Sequence, residues 1–420
     1  GDVRLFSKTD STLLESDVLR RTPNVETRAI GNARLTPHRD STLLTTDTLI
    51  DYPGRETEAL GNVVLVSQPD RATLTGTTLR HNNAAARTVI TGSPMLVQTD
   101  STLRLYKPGT PGDTDSTERD DGDTTDETGG TDVADLELIR RNDSTFIVER
   151  DTTRILADTL ERITLDEKIF VARGNARLGR GDLVAVADIA TLYEDREMVT
   201  LSSRVAEAGK TDSTEVADNG GTTDEPVDSL DAFDPNDTTK VAGDGPPPPS
   251  HPVVWFESTQ LTGDSIAVVL IEQEVRTIDV VGDGMMIDET EGPDRYNQMA
   301  GERILFGVLD RQLESIDVEG SAASMFFLFD RGIPDGVDRS SADNFAIRFE
   351  GGEVTTFRST GTRSRPEGEL LPEKDVAGNE SRFRLDGFLL YDRPAIGALA
   401  ITDTIKETVD DDASGSLIVE

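Results

Sequence analysis

The chain has no cysteine among its 420 residues, so it can form neither a disulfide nor a thiolate metal site. Aromatic residues make up 5% and tryptophan occurs once, which leaves aliphatic side chains to build any core. No apolar run approaches the roughly 18 residues needed to span a bilayer as a helix; the runs are short, such as AVVLI at 267–271. The three histidines, His38, His81 and His251, lie far apart without ligand spacing. AEAGKTD at 206–212 imitates the end of a phosphate-binding loop, but the glycine required five residues before Gly209 is Arg204. A Gly-x-Ser-x-Gly elbow is missing. GDG at 282–284 is not followed by the array of calcium-binding repeats. With 80 carboxylates, a glycosidase-like pair could be drawn almost anywhere and carries no information. Nothing here points to a catalytic centre, a cofactor or a metal.

Positive charge is also short: 42 basic residues, only seven of them lysine, face 80 acidic ones, and the net charge is -38. Such a surface repels nucleic-acid phosphates and is expected of a protein bathed in concentrated salt, where screening removes self-repulsion. Two segments concentrate the acid. Between Asp113 and Asp132 nine of twenty residues are acidic, and Glu207–Ser250 carries eleven acidic residues and a run of prolines from Pro246 to Pro249. Neither composition can bury a core, so both read as inserted loops or linkers.

What the sequence has in abundance is repetition. GDVRL at 1–5, GNARL at 31–35, GNVVL at 61–65 and Gly92 start successive units separated by 30, 30 and 31 residues, and GNARL returns at 174–178. That period belongs to stacked-repeat architectures. Aspartate recurs nine places on at Asp10, Asp40 and Asp70; leucine recurs at plus 13 (Leu14, Leu44, Leu74) and at plus 18 (Leu19, Leu49, Leu79). The unit at Ala134 keeps the frame without the glycine through Leu136, Leu138, Asp143, Ser144 and Thr145. In the C-terminal third a second ruler of 38 carries Gly263, Ile266, Ile278, Asp279, Val280 and Gly282 onto Gly301, Ile304, Ile316, Asp317, Val318 and Gly320.

Around each glycine, small and apolar residues alternate, as in Ala29, Gly31, Ala33, Leu35 and in Ala172, Gly174, Ala176, Leu178. Period two puts them on one face of a half-buried strand. The mid-strand glycine has two readings, a bulge or bend, or a place where something approaches the backbone closely. Helix signals are nearly absent, and short runs of Thr, Val, Ile and Leu are punctuated by Asp, Gly, Asn and Pro. The fold class is all-β.

The phrase Asp-Ser-Thr-Leu, then Asp-x-Leu (Asp17 to Leu19, Asp47 to Leu49, Asp158 to Leu160), a turn, and Ala-x-Gly-Asn-[Ala/Val]-x-Leu resembles the OstA-like periplasmic family, which includes LptA and the N-terminal domain of LptD. The likeness is clearest over residues 1–206 and continues more weakly through 251–400 in GDSIAVVL, NQMAGERILF and IDVEGSAASMFF. The two acidic insertions and the loss of Gly-Asn at 134, 282 and 320 depart from the pattern. The resemblance implies an elongated open β-jellyroll, two sheets facing each other like a taco shell, built from stacked repeats of 30 to 38 residues. It also implies a non-catalytic periplasmic carrier of lipopolysaccharide or a related glycolipid. Its partners would be other jellyroll proteins of the same transport system, joined by edge-strand pairing, or further copies of itself head to tail.

On this reading residues 1–206 form one set of repeats with the acidic loop 108–132 inserted, 207–250 is an acidic, proline-rich linker, and 251–420 forms further repeats with a less regular C-terminal tail. The chain begins within a repeat, without a signal peptide, and the expectation is that processing removed one. The regular large apolar positions are candidates to line an apolar trough for acyl chains: Leu5, Leu14, Leu35, Leu44, Leu65, Leu74, Leu96 and Leu178, with Met286 in the C-terminal third. Burying an acyl chain is worth about 0.8 kcal/mol per methylene. The alternating pattern equally suits a plainly packed core, and two other readings stay open: a surface β-solenoid scaffold or adhesin, and a carbohydrate-active β-helix enzyme.

Overall fold

The computed structural model describes residues 3–7, 11–37, 42–105, 138–141, 144–164, 167–203, 249–271, 274–309, 311–361 and 365–395. His38, Asp40, Asp143, the acidic segment 113–132 and all but the end of 207–250 lie outside them. Among the described residues the protein is all-β, with 24 strands in antiparallel pairs. The described helical turns are confined to Glu194–Arg196, Glu373–Val376 and Glu380–Arg382.

The building unit is a long strand bent at its middle. Glu26–Pro37, Thr42–Tyr52, Glu56–Ser67 and Ala72–Asn82 run as a meander, each pairing with the next on both sides of the bend. Elsewhere the bend divides one rung into two strands that share the same neighbours, as with Arg87–Thr91 and Met95–Leu105, both paired to Ala72–Asn82. Met198–Ser202 and Val253–Phe256 are likewise two halves of one rung. Both pair with Leu183–Tyr193, although fifty residues separate Ser202 from Val253. The bends stack into a spine, and the sheet folds along it into two facing half-sheets.

The Gly-Asn phrase makes the bend. Gly61 and Asn62 both have left-handed backbones, with φ of 79° and 44°, a region open to glycine and tolerated by asparagine. The ladder slips between Leu60 and Val63, which is a β-bulge. Asp47 of the preceding strand lies directly over Gly61, and its carboxylate accepts hydrogen bonds from Asn62 Nδ2 at 3.0 and 3.2 Å. The pairs Asp17–Asn32 and Asp158–Asn175 repeat the contact at 3.1 and 3.2 Å. The space over the glycine is therefore filled by the protein's own carboxylate, and the bend is the reading that holds. Gly282–Asp283 and Gly320–Ser321 keep the same backbone, with φ of 79° and 45° and of 76° and 50°, under Asp264 and Glu302. Loss of the asparagine therefore did not remove the corner.

Beyond the last strand the chain turns back across the outer face of one half-sheet. Two glutamines fasten it. Gln260, 2% exposed, donates to Leu389 O and accepts from Tyr391 N, both at 2.8 Å; Gln298, 0% exposed, donates to Phe383 O at 3.0 Å and accepts from Leu385 N at 2.8 Å. Each side-chain amide thus mimics the paired bonds of a strand. Met325, Phe327 and Val337 of the sheet pack beneath this strap against the buried Val376 and the half-buried Phe383 and Leu385. Arg295 locks its start by pairing with Glu373 and Glu380.

Candidate functional site

The inward face of the folded sheet carries two rows of aliphatic side chains. In the first half-sheet, residues facing each other from strand to strand run Leu5, Leu14, Leu35, Leu44, Leu65, Leu74, Leu96, Ile155, Leu178. The row continues through Ala185, Val254, Leu261, Met286 and Met299. All nine residues picked from the sequence stand in this single row. Leu14, Leu44, Leu74, Leu96, Leu178 and Met286 are buried, whereas Leu5, Leu35 and Leu65 are half-buried against the same cluster.

The opposite half-sheet supplies a second row that was not picked: Leu19, Ala29, Leu49, Ala59, Leu79, Ile90, Leu160, Ala172, Ala190, Leu201, Ile266, Val280, Ile304 and Val318. In its first third, leucine and alanine alternate. The plus-18 leucines were visible as a repeat, but five residues from plus 13 is an odd step, which period two assigns to the other face. The corner at Asp17, Asp47 and their counterparts absorbs the extra residue and returns both leucines to the interior.

The side of the fold opposite the spine is a lip where the tips of the half-sheets meet, and its chemistry changes along the array. In the N-terminal part most inward lip residues are polar: Thr57, His81, Thr88 and Arg162 on one half-sheet, next to Phe170, and Ser67, Gln98 and Thr153 on the other, with Ala72 between Ser67 and Gln98. Toward the C-terminus they become Val199, Val268, Ile278, Phe306, Ile316 and Ile347.

Across the polar part the tips are tied by ions. Asp70, in the turn after Glu56–Ser67, pairs with Arg162 of the other half-sheet and accepts from Lys168 Nζ at 2.8 Å and Ser67 Oγ at 2.7 Å. Its side chain is 9% exposed and that of Arg162 16%. Burial pushes the Asp70 pKa up, but hydrogen bonds from Lys168 and Ser67 and the charge of Arg162 outweigh it and hold the carboxyl below its ordinary value. Burial and the charge of Arg162 hold His81 below the usual histidine value, and its Nδ1 lies 2.9 Å from Thr88 Oγ1. Burial, reinforced by Asp70, raises Glu194. A cleft of about 370 Å³ opens at this tie, lined by Asp70, Gln98, Lys168 and Glu194 among others.

No family model matches the chain, and no curated protein matches it in sequence. Among solved structures it is similar to LptH of Pseudomonas aeruginosa, described as the LptA-homologous periplasmic component of the lipopolysaccharide transport device. The two are 12% identical, with a TM-score of 0.26, over 45% of this chain and 93% of that one. Among the described residues no helix is long and apolar enough to cross a membrane.

Proposed function

We propose that the protein is a non-catalytic periplasmic carrier that shelters acyl chains of lipopolysaccharide or a related glycolipid between its two half-sheets, as one component of a transport bridge. The observation that supports this most is the pair of facing aliphatic rows, whose half-sheets are continuous along the spine and tied at the opposite lip by the side chains of Asp70, Arg162 and Lys168. A closed sandwich needs no such one-sided hinge. The half-buried Leu5, Leu35 and Leu65 place the most accessible stretch of the first row in the N-terminal repeats.

The bridge reading draws on the ends. Among the described strands Val18–Thr22 pairs only with Glu26–Pro37, and Val18 is 46% exposed. Among the described residues Glu353–Thr360 and Glu367–Pro372 each pair only with Ile333–Glu350, and Leu370 is 67% exposed. Such edges accept strands of a neighbouring jellyroll or of a second copy. The acidic surface further supports work in concentrated salt, where the melting temperature is expected to rise between about 0.1 and 2 M.

Photo-crosslinking residues at positions 35 and 65 test the carrier reading in cells that make lipopolysaccharide. Capture of glycolipid supports it. Absence of capture, together with no bound lipid by mass spectrometry of the purified protein, favours a second reading as a scaffold with a dry core. That alternative has its own support, since Leu74, Leu96 and Leu178 are 1%, 0% and 2% exposed.

A further inference from the structure

We infer that the lip between Asp70 and the strand bearing Arg162 is the lateral portal through which an acyl chain reaches the aliphatic rows, and that an anionic head group opens it by taking the place of Asp70 on Arg162 and Lys168. The inference rests on the carrier reading and specifies where and by what chemistry its ligand enters.

Three features single out this stretch. First, it lies directly over the interior: Ser67 is two residues from Leu65 in one row, and Arg162 is two residues from Leu160 in the other. Second, the lip is closed here by an ionic tie, whereas further along the array Val268, Ile278 and Phe306 close it by burial. Parting apolar side chains exposes them to water, while an ionic tie is exchanged without loss when another anion replaces the first. Third, the tie is built to accept one. Two cations converge on the Asp70 carboxylate, Lys168 also lying 3.9 Å from Glu194, in a chain whose net charge is -38. The buried Nε of Arg162 has no hydrogen-bond partner, so the guanidinium retains an unused donor. Glu194 Oε1, in the same cleft, is also buried and without a hydrogen-bond partner. Asp70 therefore stands where a phosphate or carboxylate of the ligand would sit, and the cleft gives that group access from solvent.

The absence of native cysteine makes a lock feasible. In the full chain carrying Asp70→Cys and Lys168→Cys, a short bifunctional methanethiosulfonate ties the lip shut and a reductant frees it. Hexadecyl maltoside, with a neutral head, reads the portal; hexadecyl phosphate, with the same chain, reads the head-group exchange. The locked protein is expected to lose binding of hexadecyl maltoside and regain it on reduction. Asp70→Asn is expected to tighten hexadecyl phosphate about tenfold by removing the competing closed state. Arg162→Gln, with an unchanged far-ultraviolet circular dichroism spectrum, should erase the preference for phosphate over maltoside. Binding to the locked protein equal to that of the reduced one overturns the portal. Equal affinity for the two probes, unmoved by Asp70→Asn, overturns the head-group exchange. If neither probe binds any form, the carrier reading itself fails and takes this inference with it.

Discussion

Replacing Gly61 by alanine should damage the protein far more than the same change at Gly54, although both glycines have left-handed backbones, with φ of 79° and 72°. At Gly54 a Cβ meets nothing within 4 Å, so the cost is that of holding alanine in a left-handed conformation, about 1–2 kcal/mol. At Gly61 the same cost applies and the new methyl collides with the Asp47 carboxylate. Asp47 must then withdraw and lose Asn62 Nδ2, held at 3.0 Å; a hydrogen bond to a charged group contributes about 1.5–3 kcal/mol. The total is about 2.5–5 kcal/mol, read as the shift of the urea midpoint at constant slope. Asp47→Ala alone should cost less than Gly61→Ala, and in the double variant the second change should add little, because the collision and the hydrogen bond are removed once. Equal midpoints for the Gly54 and Gly61 variants, or strict additivity with Asp47→Ala, would refute the account of the corner.

Leu74→Ala, at a position 1% exposed, should lower stability by about 2–5 kcal/mol, and Leu35→Ala, half-buried, by clearly less; thermal denaturation of the pair reports the difference. The folded-state pKa of His81 lies below its ordinary 6.5, so as pH falls the unfolded chain takes up that proton first. The contribution is complete above 6.5 and is lost as pH drops toward the folded value. His81→Gln should therefore flatten stability against pH as pH falls below the ordinary histidine value. Gln298→Leu removes two hydrogen bonds to the strap and should raise amide hydrogen exchange at Leu385 while leaving exchange at Leu74 unchanged.

Much of the fold is written at spacings a reader can count. The plus-four and plus-13 leucines proclaim one inward row because adjacent strands alternate at period two, and the Gly-Asn phrase marks the bends at Gly31, Gly61 and Gly174. The second row hid behind its odd step of five, which becomes intelligible only when the corner is known to consume a residue. Asp70 and Arg162 are 92 residues apart, with an acidic insertion and an imperfect repeat between them, and no local pattern links them. The strap lacks periodicity altogether. Its two anchors do sit on a ruler: Gln260 and Gln298 are 38 residues apart, the same interval as Gly263 and Gly301. A buried amide recurring in the frame of a strand was the signal that something lay on the outer face.

The rung divided between Ser202 and Val253 shows what the array demands of chain continuity. Met198–Ser202 is pinned between Leu183–Tyr193 and Ser265–Ile271, and Val253–Phe256 between Leu183–Tyr193 and Thr259–Thr262. Each half is held by its ladders, and the covalent link between them is free to be of any length, since loop closure becomes only slowly more costly as a loop grows. The spine is therefore a port at which sequence can be added without disturbing either row. Another domain grafted between Ser203 and Pro249 would be displayed on the outside of the fold, anchored at both ends, at a fixed point along the array.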